Sequence, residues 1–205
     1  MTEPMSLPDR RRAFVDSLYA RERGTRSKNT KHAGECRQAL ARMRRMFSGA
    51  RQQADAFEYV FPYDPPQAEQ DAWLLVAGLF ALNPQPPRSR KGRRTFGASM
   101  GELRAKTGSN ADRRFTQLLA RDPDALSHHL RQAIRLLASH DIPVDHHQLL
   151  DDLVVLLGDD HRGDRAHRIR LDWAREYHVP LANGRPGDPA ADTDDESALE
   201  SGEVS

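Results

Sequence analysis

The sequence has 205 residues, of which 38% are hydrophobic and 30% are charged, and its formal net charge is +1. Its longest uninterrupted apolar run, residues 73–82, has ten residues, whereas a membrane-spanning helix needs about 20. The N-terminus carries charge with no apolar stretch behind it, and the single cysteine, Cys36, excludes an internal disulfide and a multi-cysteine zinc site. We therefore expect a cytoplasmic protein in which Cys36 is a small core residue on a helix.

Apolar residues recur at helical spacing along the first half, without the alternation that is typical of β-strands. A helix is predicted from Pro8 to about Arg23, and a second one around Cys36 ends at Ser48 and Gly49. A short helix over 51–60 and an apolar helix over 73–82 follow. These four helices are predicted to form an N-terminal bundle, residues 1–83.

A proline-rich basic stretch, residues 84–98, is predicted to be a linker. Behind it, one short helix should stop at Gly108, and the next should be capped by Ser109 or Asn110. Pro123 should open a third, Asp145 should cap a fourth over 146–157, and a fifth should run over 164–178. These helices form a C-terminal bundle, residues 99–179, so the predicted fold class is all-α: two small helical bundles joined by a Pro-rich basic linker.

The last stretch, residues 180–205, is rich in Pro, Gly, Ser and acids and is predicted to be a disordered acidic tail. It holds seven Asp and Glu against one Arg, so the preceding residues carry a net charge of +7. That positive charge is concentrated at residues 10–51 and 88–94. Both segments are candidate nucleic-acid footprints.

Arginines follow the flanks of the predicted apolar helix faces at intervals of three and four residues. One flank carries Arg114, Gln117 and Arg121, and a flank of the next helix carries His128, Arg131 and Arg135. Together the two flanks can form one basic surface. The helix around Cys36 carries Arg37 and Arg44 on one flank and Arg42 and Arg45 on the next. Guanidinium groups at one-turn intervals suit a chain of phosphates. The alternative is an ordinary solvated face whose arginine stems cover core edges.

No catalytic constellation is visible. The histidine pairs at 128–129 and 146–147 and the His140–Asp141 dipeptide lack the spacing of a metal site, and no G-x-S-x-G or Walker A motif occurs. Trp73 and Trp173 sit at core positions of helices rather than as base-stacking residues. We expect no enzymatic activity, metal or cofactor, and a helical phosphohydrolase is the least favoured class.

Several motifs occur in a specific order over residues 100–178. They are the Gly108–Ser109 turn, the Arg-Arg-Phe of 113–115, the Leu-Arg of 130–131, the "IPVD" turn and a Trp-Ala-Arg-x-Tyr that ends at Tyr177. In this order they resemble the CasB family, the small subunit of the type I-E CRISPR surveillance complex Cascade. The first half is similar in helix order and in the basic segment 39–45. The acidic tail has no clear counterpart in the family, and the helix over 146–157 lacks the family's usual tryptophan.

The resemblance implies an all-helical, non-catalytic protein of two small bundles. More than one copy would line Cascade, between its backbone and large subunits, and would stabilise guide RNA, target strand and the displaced strand of the R-loop. The positions carried over from the family are Arg44, Arg45, Arg113, Arg114 and Arg131. The charge geometry adds Lys91, Arg93, Arg94, Arg121 and Arg135. A freestanding helical DNA-binding regulator remains the alternative, with residues 107–115 closest to a recognition helix.

Overall fold

The computed structural model describes residues 5–86, 94–108, 110–120 and 122–179, and within these ranges every regular element is helical. The α-helices are α1 (Leu7–Gly24), α2 (Thr30–Arg45), α3 (Ala50–Ala54), α4 (Phe57–Val60), α5 (Gln70–Leu82), α6 (Phe96–Thr107), α7 (Asn110–Leu119), α8 (Pro123–Ser139), α9 (His146–Leu156) and α10 (Asp164–His178). Short 3-10 helices lie at Met46–Ser48, Phe61–Tyr63 and Gln67–Glu69. The all-α prediction is confirmed.

Local capping signals set several helix ends as predicted. Asp145 caps α9 by accepting hydrogen bonds from the backbone N–H groups of His147 and Gln148, both at 3.1 Å. Pro123 stands in the first turn of α8, and Gly108 ends α6 with φ of 70°, a conformation that favours glycine. The single helix predicted over 51–60 is wrong. The structure divides it into α3 and α4, and α3 buries no side chain that would hold it in line with α4.

Buried apolar side chains from both halves of the chain form one hydrophobic core. Helix α5 is its centre, since its side chains from Ala72 to Ala81 are all buried, and it packs against α2, α8 and α9. Trp73 and Trp173 are 0% and 1% exposed, and Cys36 is also buried, so the three core predictions are confirmed. The predicted bundles thus contact each other through α5, and their division into domains stays a prediction.

Helices α6 and α10 pack backbone to backbone. A Cβ added at Gly97 would overlap the backbone oxygen of Trp173 and lie 2.5 Å from its Cα, and one at Gly101 would lie 3.0 Å from the backbone oxygen of Tyr177. This close approach fixes the end of α10 beside α7. There the Tyr177 ring stacks on Phe115 with 4.0 Å between ring centroids, and the Tyr177 hydroxyl donates to Asp112 at 2.5 Å.

Two predicted segments, the linker and the acidic tail, lie partly or wholly outside the described residues. Helix α6 begins at Phe96, inside the range predicted as linker, while 87–93 lie outside the described residues. The acidic tail also lies outside them. Over the part of the chain that the structure covers, no helix has both the length and the apolar character to span a bilayer.

Candidate nucleic-acid-binding surface

Arginines of α7 and α8 line one shallow groove. Its lining residues are Arg113, Arg114 and Gln117 of α7 and Gln132 and Arg135 of α8, and its volume is about 530 Å³. The two helices hold this arrangement because their opposite faces are buried, with Phe115 and Leu118 on α7 and Leu130 and Ile134 on α8 in the core. The structure therefore brings part of the two predicted flanks together, Arg114 and Gln117 of one and Arg135 of the other, and we call this place the arginine groove.

The positive charge of the arginine groove is not compensated within the described residues. Arg113, Arg114 and Arg135 are exposed, and none of the residues that the structure describes forms a hydrogen bond or ion pair with their guanidinium groups. Asp112, the acid beside them in the sequence, is occupied elsewhere: it accepts from Tyr177 at 2.5 Å and pairs with Arg104 Nε at 3.0 Å. The groove thus offers three cations and two neutral amides to an anion.

Arg131 has a different environment from the one that its helical spacing predicts. It does not line the arginine groove; its guanidinium lies over the Phe47 ring, 5.2 Å from the centroid, and a terminal nitrogen lies 3.5 Å from His128 Nδ1. This cation–π contact joins α8 to the 3-10 helix that follows α2. Arg131 therefore links α8, which carries part of the arginine groove, to the segment that follows α2.

Arg44 and Arg45 lie at the end of α2, three and two residues before Phe47, so the Arg131 contact brings that end next to α8. Both are exposed. Arg44 Nε donates to the backbone oxygen of Ala81 at 3.0 Å, in the last turn of α5, where a cation is favourable against the helix dipole. One donor of Arg44 is thereby used in packing, whereas Arg45 has no such contact among the residues described.

Arg94 cannot serve as a nucleic-acid contact in the way the sequence suggested. Its side chain is only 8% exposed and pairs with Glu102 at 2.7 Å, and its Nε lies 3.3 Å from Ser99 Oγ. A guanidinium that is buried and paired has little left to offer a phosphate. We therefore leave Arg94 out of the surface. Lys91, Arg93 and Arg121 lie outside the described residues.

Gln132 is a groove residue that the sequence analysis missed. Its amide Nε2 lies 2.7 Å from His128 Nε2, and it stands three residues before Arg135, on the same helix flank. The helical spacing was sufficient to find it, since Gln132 stands three residues before Arg135, but on α8 the sequence analysis followed only the basic residues and histidine. Side-chain amides are ordinary donors to phosphate oxygens.

The histidine-rich segment before α9 is part of the packing. His146 is fully buried, with Nδ1 3.2 Å from the Tyr19 hydroxyl, and burial lowers its pKa to about 3. The imidazole is therefore neutral at ordinary pH. His147 Nε2 lies 3.1 Å from Asp16. Within the described ranges, no three His, Cys, Asp or Glu side chains are grouped as metal ligands.

Comparison with known proteins identifies the family. The family model described as CRISPR-associated protein Cse2 matches residues 39–178, more than half of the chain. The chain belongs to the Cse2 family. A CRISPR-associated protein Cse2 of Thermus thermophilus is 32% identical over 127 residues, which are 60% of this chain and 68% of that protein.

Solved Cse2 structures share the fold. A crystal structure of a Cse2-family protein from Thermus thermophilus superimposes with a TM-score of 0.61 at 30% identity, over 85% of this chain and 99% of that one. A chain of a CRISPR RNA-guided surveillance complex has a TM-score of 0.64 at 21% identity, over 85% of this chain and 96% of that one. The Cse2 match includes the arginine groove, Arg44 and Arg45, and it stops at the last residue of α10.

Proposed function

We propose that this Cse2-family protein is a non-catalytic subunit of the type I-E Cascade complex that holds nucleic-acid backbones in the arginine groove. The observation that carries the proposal is the convergence of Arg113, Arg114 and Arg135 on one groove with no acidic partner among the described residues. Membership of the Cse2 family and a fold shared with a chain of a CRISPR RNA-guided surveillance complex support the assignment to Cascade.

The groove suits phosphates rather than bases. Arginine supplies forked donors that match phosphate oxygens, and its contacts release condensed counterions without reading sequence. Within an R-loop, the base pairs formed and broken nearly balance, so a few backbone contacts can shift the equilibrium toward the open state. Arg45 and Arg131 extend the same basic surface toward α2.

The proposed partners are guide RNA and target DNA, including the displaced single strand, together with the backbone and large subunits of Cascade and a second copy of this chain. The complex would act in the cytoplasm. A freestanding regulator would instead need base-reading side chains at the start of a recognition helix. Family membership favours Cascade, and no feature of the described helices favours the regulator.

The proposal is tested by reconstituting Cascade with the wild-type chain, without it, and with the groove variant Arg113→Ala, Arg114→Ala, Arg135→Ala. Target-duplex affinity and R-loop opening are measured in moderate salt. We expect omission to weaken both, and the groove variant to assemble normally yet show the same loss. The matched control, Arg12→Ala, Arg23→Ala, Arg165→Ala, removes three exposed arginines outside the groove and should behave as wild type.

Two results would overturn the proposal. One is unchanged affinity and R-loop opening when the chain is omitted. The other is a wild-type chain that never joins the complex.

A further inference from the structure

The acidic tail, residues 180–205, follows directly from the end of α10, which packs against α7, one of the two helices that carry the arginine groove. Tyr177, in the last turn of α10, stacks on Phe115 and bonds Asp112, both on α7. Asp112 and Phe115 flank Arg113 and Arg114, which line the groove. The last described residue, Val179, is 65% exposed. The end of α10 that precedes the tail therefore lies beside the first turns of α7.

The charges of the tail and the groove are opposite. The tail has seven acids against one arginine, and four of the acids are concentrated at 192–196. Several other surface arginines are matched by acids of the folded helices and their connections, as in Arg10 with Asp64 at 2.6 Å and Arg42 with Glu58 at 2.6 Å. Arg113, Arg114 and Arg135 have no such match among the described residues and line one groove, so a nearby polyanion can contact several unpaired cations there at once.

The tail is long enough to reach the groove. Asp192 follows Val179 by thirteen residues, and a chain of that length can span up to about 40 Å. Helix α7, with ten residues, is only about 15 Å long. A segment tethered at this distance acts at an effective concentration in the millimolar range, so even weak individual ion pairs lead to occupancy of the site.

We propose that the acidic tail binds the arginine groove of the unassembled protein and competes there with nucleic acid. The competition rests on the proposed function, whereas the docking of the tail rests on the groove and its charges alone. Tail binding suppresses capture of unrelated nucleic acid by the free protein. A guide or target strand held by the other subunits of the complex is present at a higher effective concentration and displaces the tail.

The test compares the full chain with three variants. One lacks residues 180–205 and keeps every described helix. A second keeps the full length and carries Asp192→Asn, Asp194→Asn, Asp195→Asn and Glu196→Gln. A third combines removal of the tail with the groove variant. Affinity for a single-stranded DNA of mixed sequence is measured by fluorescence anisotropy at low and high salt, and amide NMR spectra are recorded for each protein.

Removal or neutralisation of the tail should raise the affinity for single-stranded DNA about 3- to 10-fold at low salt. The increase should vanish at high salt and in the groove variant. Amide signals of α7 and α8 should differ between the full and shortened chains at low salt and converge at high salt. The neutralised full-length chain should give the same spectrum over α7 and α8 as the shortened one.

Equal DNA affinity with identical α7 and α8 spectra would overturn the tail proposal, and so would an increase that persists in the groove variant. The NMR comparison separates the two proposals. If the shortened chain bound no DNA, the groove function would fail, while shifts confined to α7 and α8 would still show that the tail docks.

Discussion

The sharpest prediction concerns the salt dependence of nucleic-acid binding by the isolated chain without its acidic tail. The variant Arg113→Ala, Arg114→Ala, Arg135→Ala removes the three groove cations that have no partner among the described residues. Because these side chains are exposed, their loss should change the free energy of unfolding by no more than about 0.5 kcal/mol each. Any loss of binding is then a loss of contacts and not of fold.

The magnitude follows from the number of unpaired groove arginines. Each phosphate neutralised on a single strand contributes about 0.7 to the slope of log K against log salt, so three contacts contribute about 2. A slope difference of about 2 means that the ratio of wild-type to variant affinity is about 100-fold larger at 0.1 M salt than at 1 M salt. The loss should be the same for unrelated DNA sequences, because phosphate contacts carry no base information.

The assay is a salt titration of fluorescence anisotropy with two unrelated single-stranded DNAs. The control variant Arg12→Ala, Arg23→Ala, Arg165→Ala lowers the net charge by the same amount from α1 and α10. If the control reduced the slope as much as the groove variant, net charge and not the groove would drive binding. An unchanged slope in the groove variant, or a loss limited to one sequence, would refute the argument outright.

Three further predictions concern the fold that supports the groove. Gly97→Ala should destabilise the protein by about 2–3 kcal/mol in urea unfolding, because the new Cβ would overlap the Trp173 backbone; wild-type stability would contradict the close α6–α10 packing. Asp145→Ala should cost about 1 kcal/mol through the loss of two accepted backbone hydrogen bonds, and Asp145→Asn should restore most of it; equal costs for both would argue against capping. His146→Leu should flatten the acid dependence of stability. Burial lowers the pKa of His146 to about 3, so between about pH 6.5 and 3 the unfolded chain binds a proton that the folded chain excludes, and wild-type stability falls with decreasing pH by up to about 1.4 kcal/mol per unit. Identical pH profiles for the two proteins would show that His146 is not the group responsible.

The sequence alone determined the fold class and many helix ends. A helix terminus depends on residues within about one turn, so Pro123, Gly108 and Asp145 marked ends that the structure confirms. Burial of Trp73 and Trp173 also followed from helical spacing, since a side chain's face on a helix is a local property. The ordered motifs between 100 and 178 were enough to predict the family that the comparison identifies.

Tertiary structure alone decided which arginines are available. The sequence gives no reason to treat Arg94 and Arg113 differently. In the structure, Glu102 of α6 pairs with Arg94, whereas Arg113 has no partner among the described residues. Arg131 lies on Phe47, which is 84 residues earlier in the chain, so helical spacing had no means of separating it from Arg135.

The position of the end of α10 beside α7 is likewise a tertiary result. It depends on the contact of Tyr177 with Asp112, 65 residues away in the sequence. Composition and spacing report the charge that a segment carries, whereas the partner of a charge is fixed by distances in space, and those distances are set by core packing between distant helices.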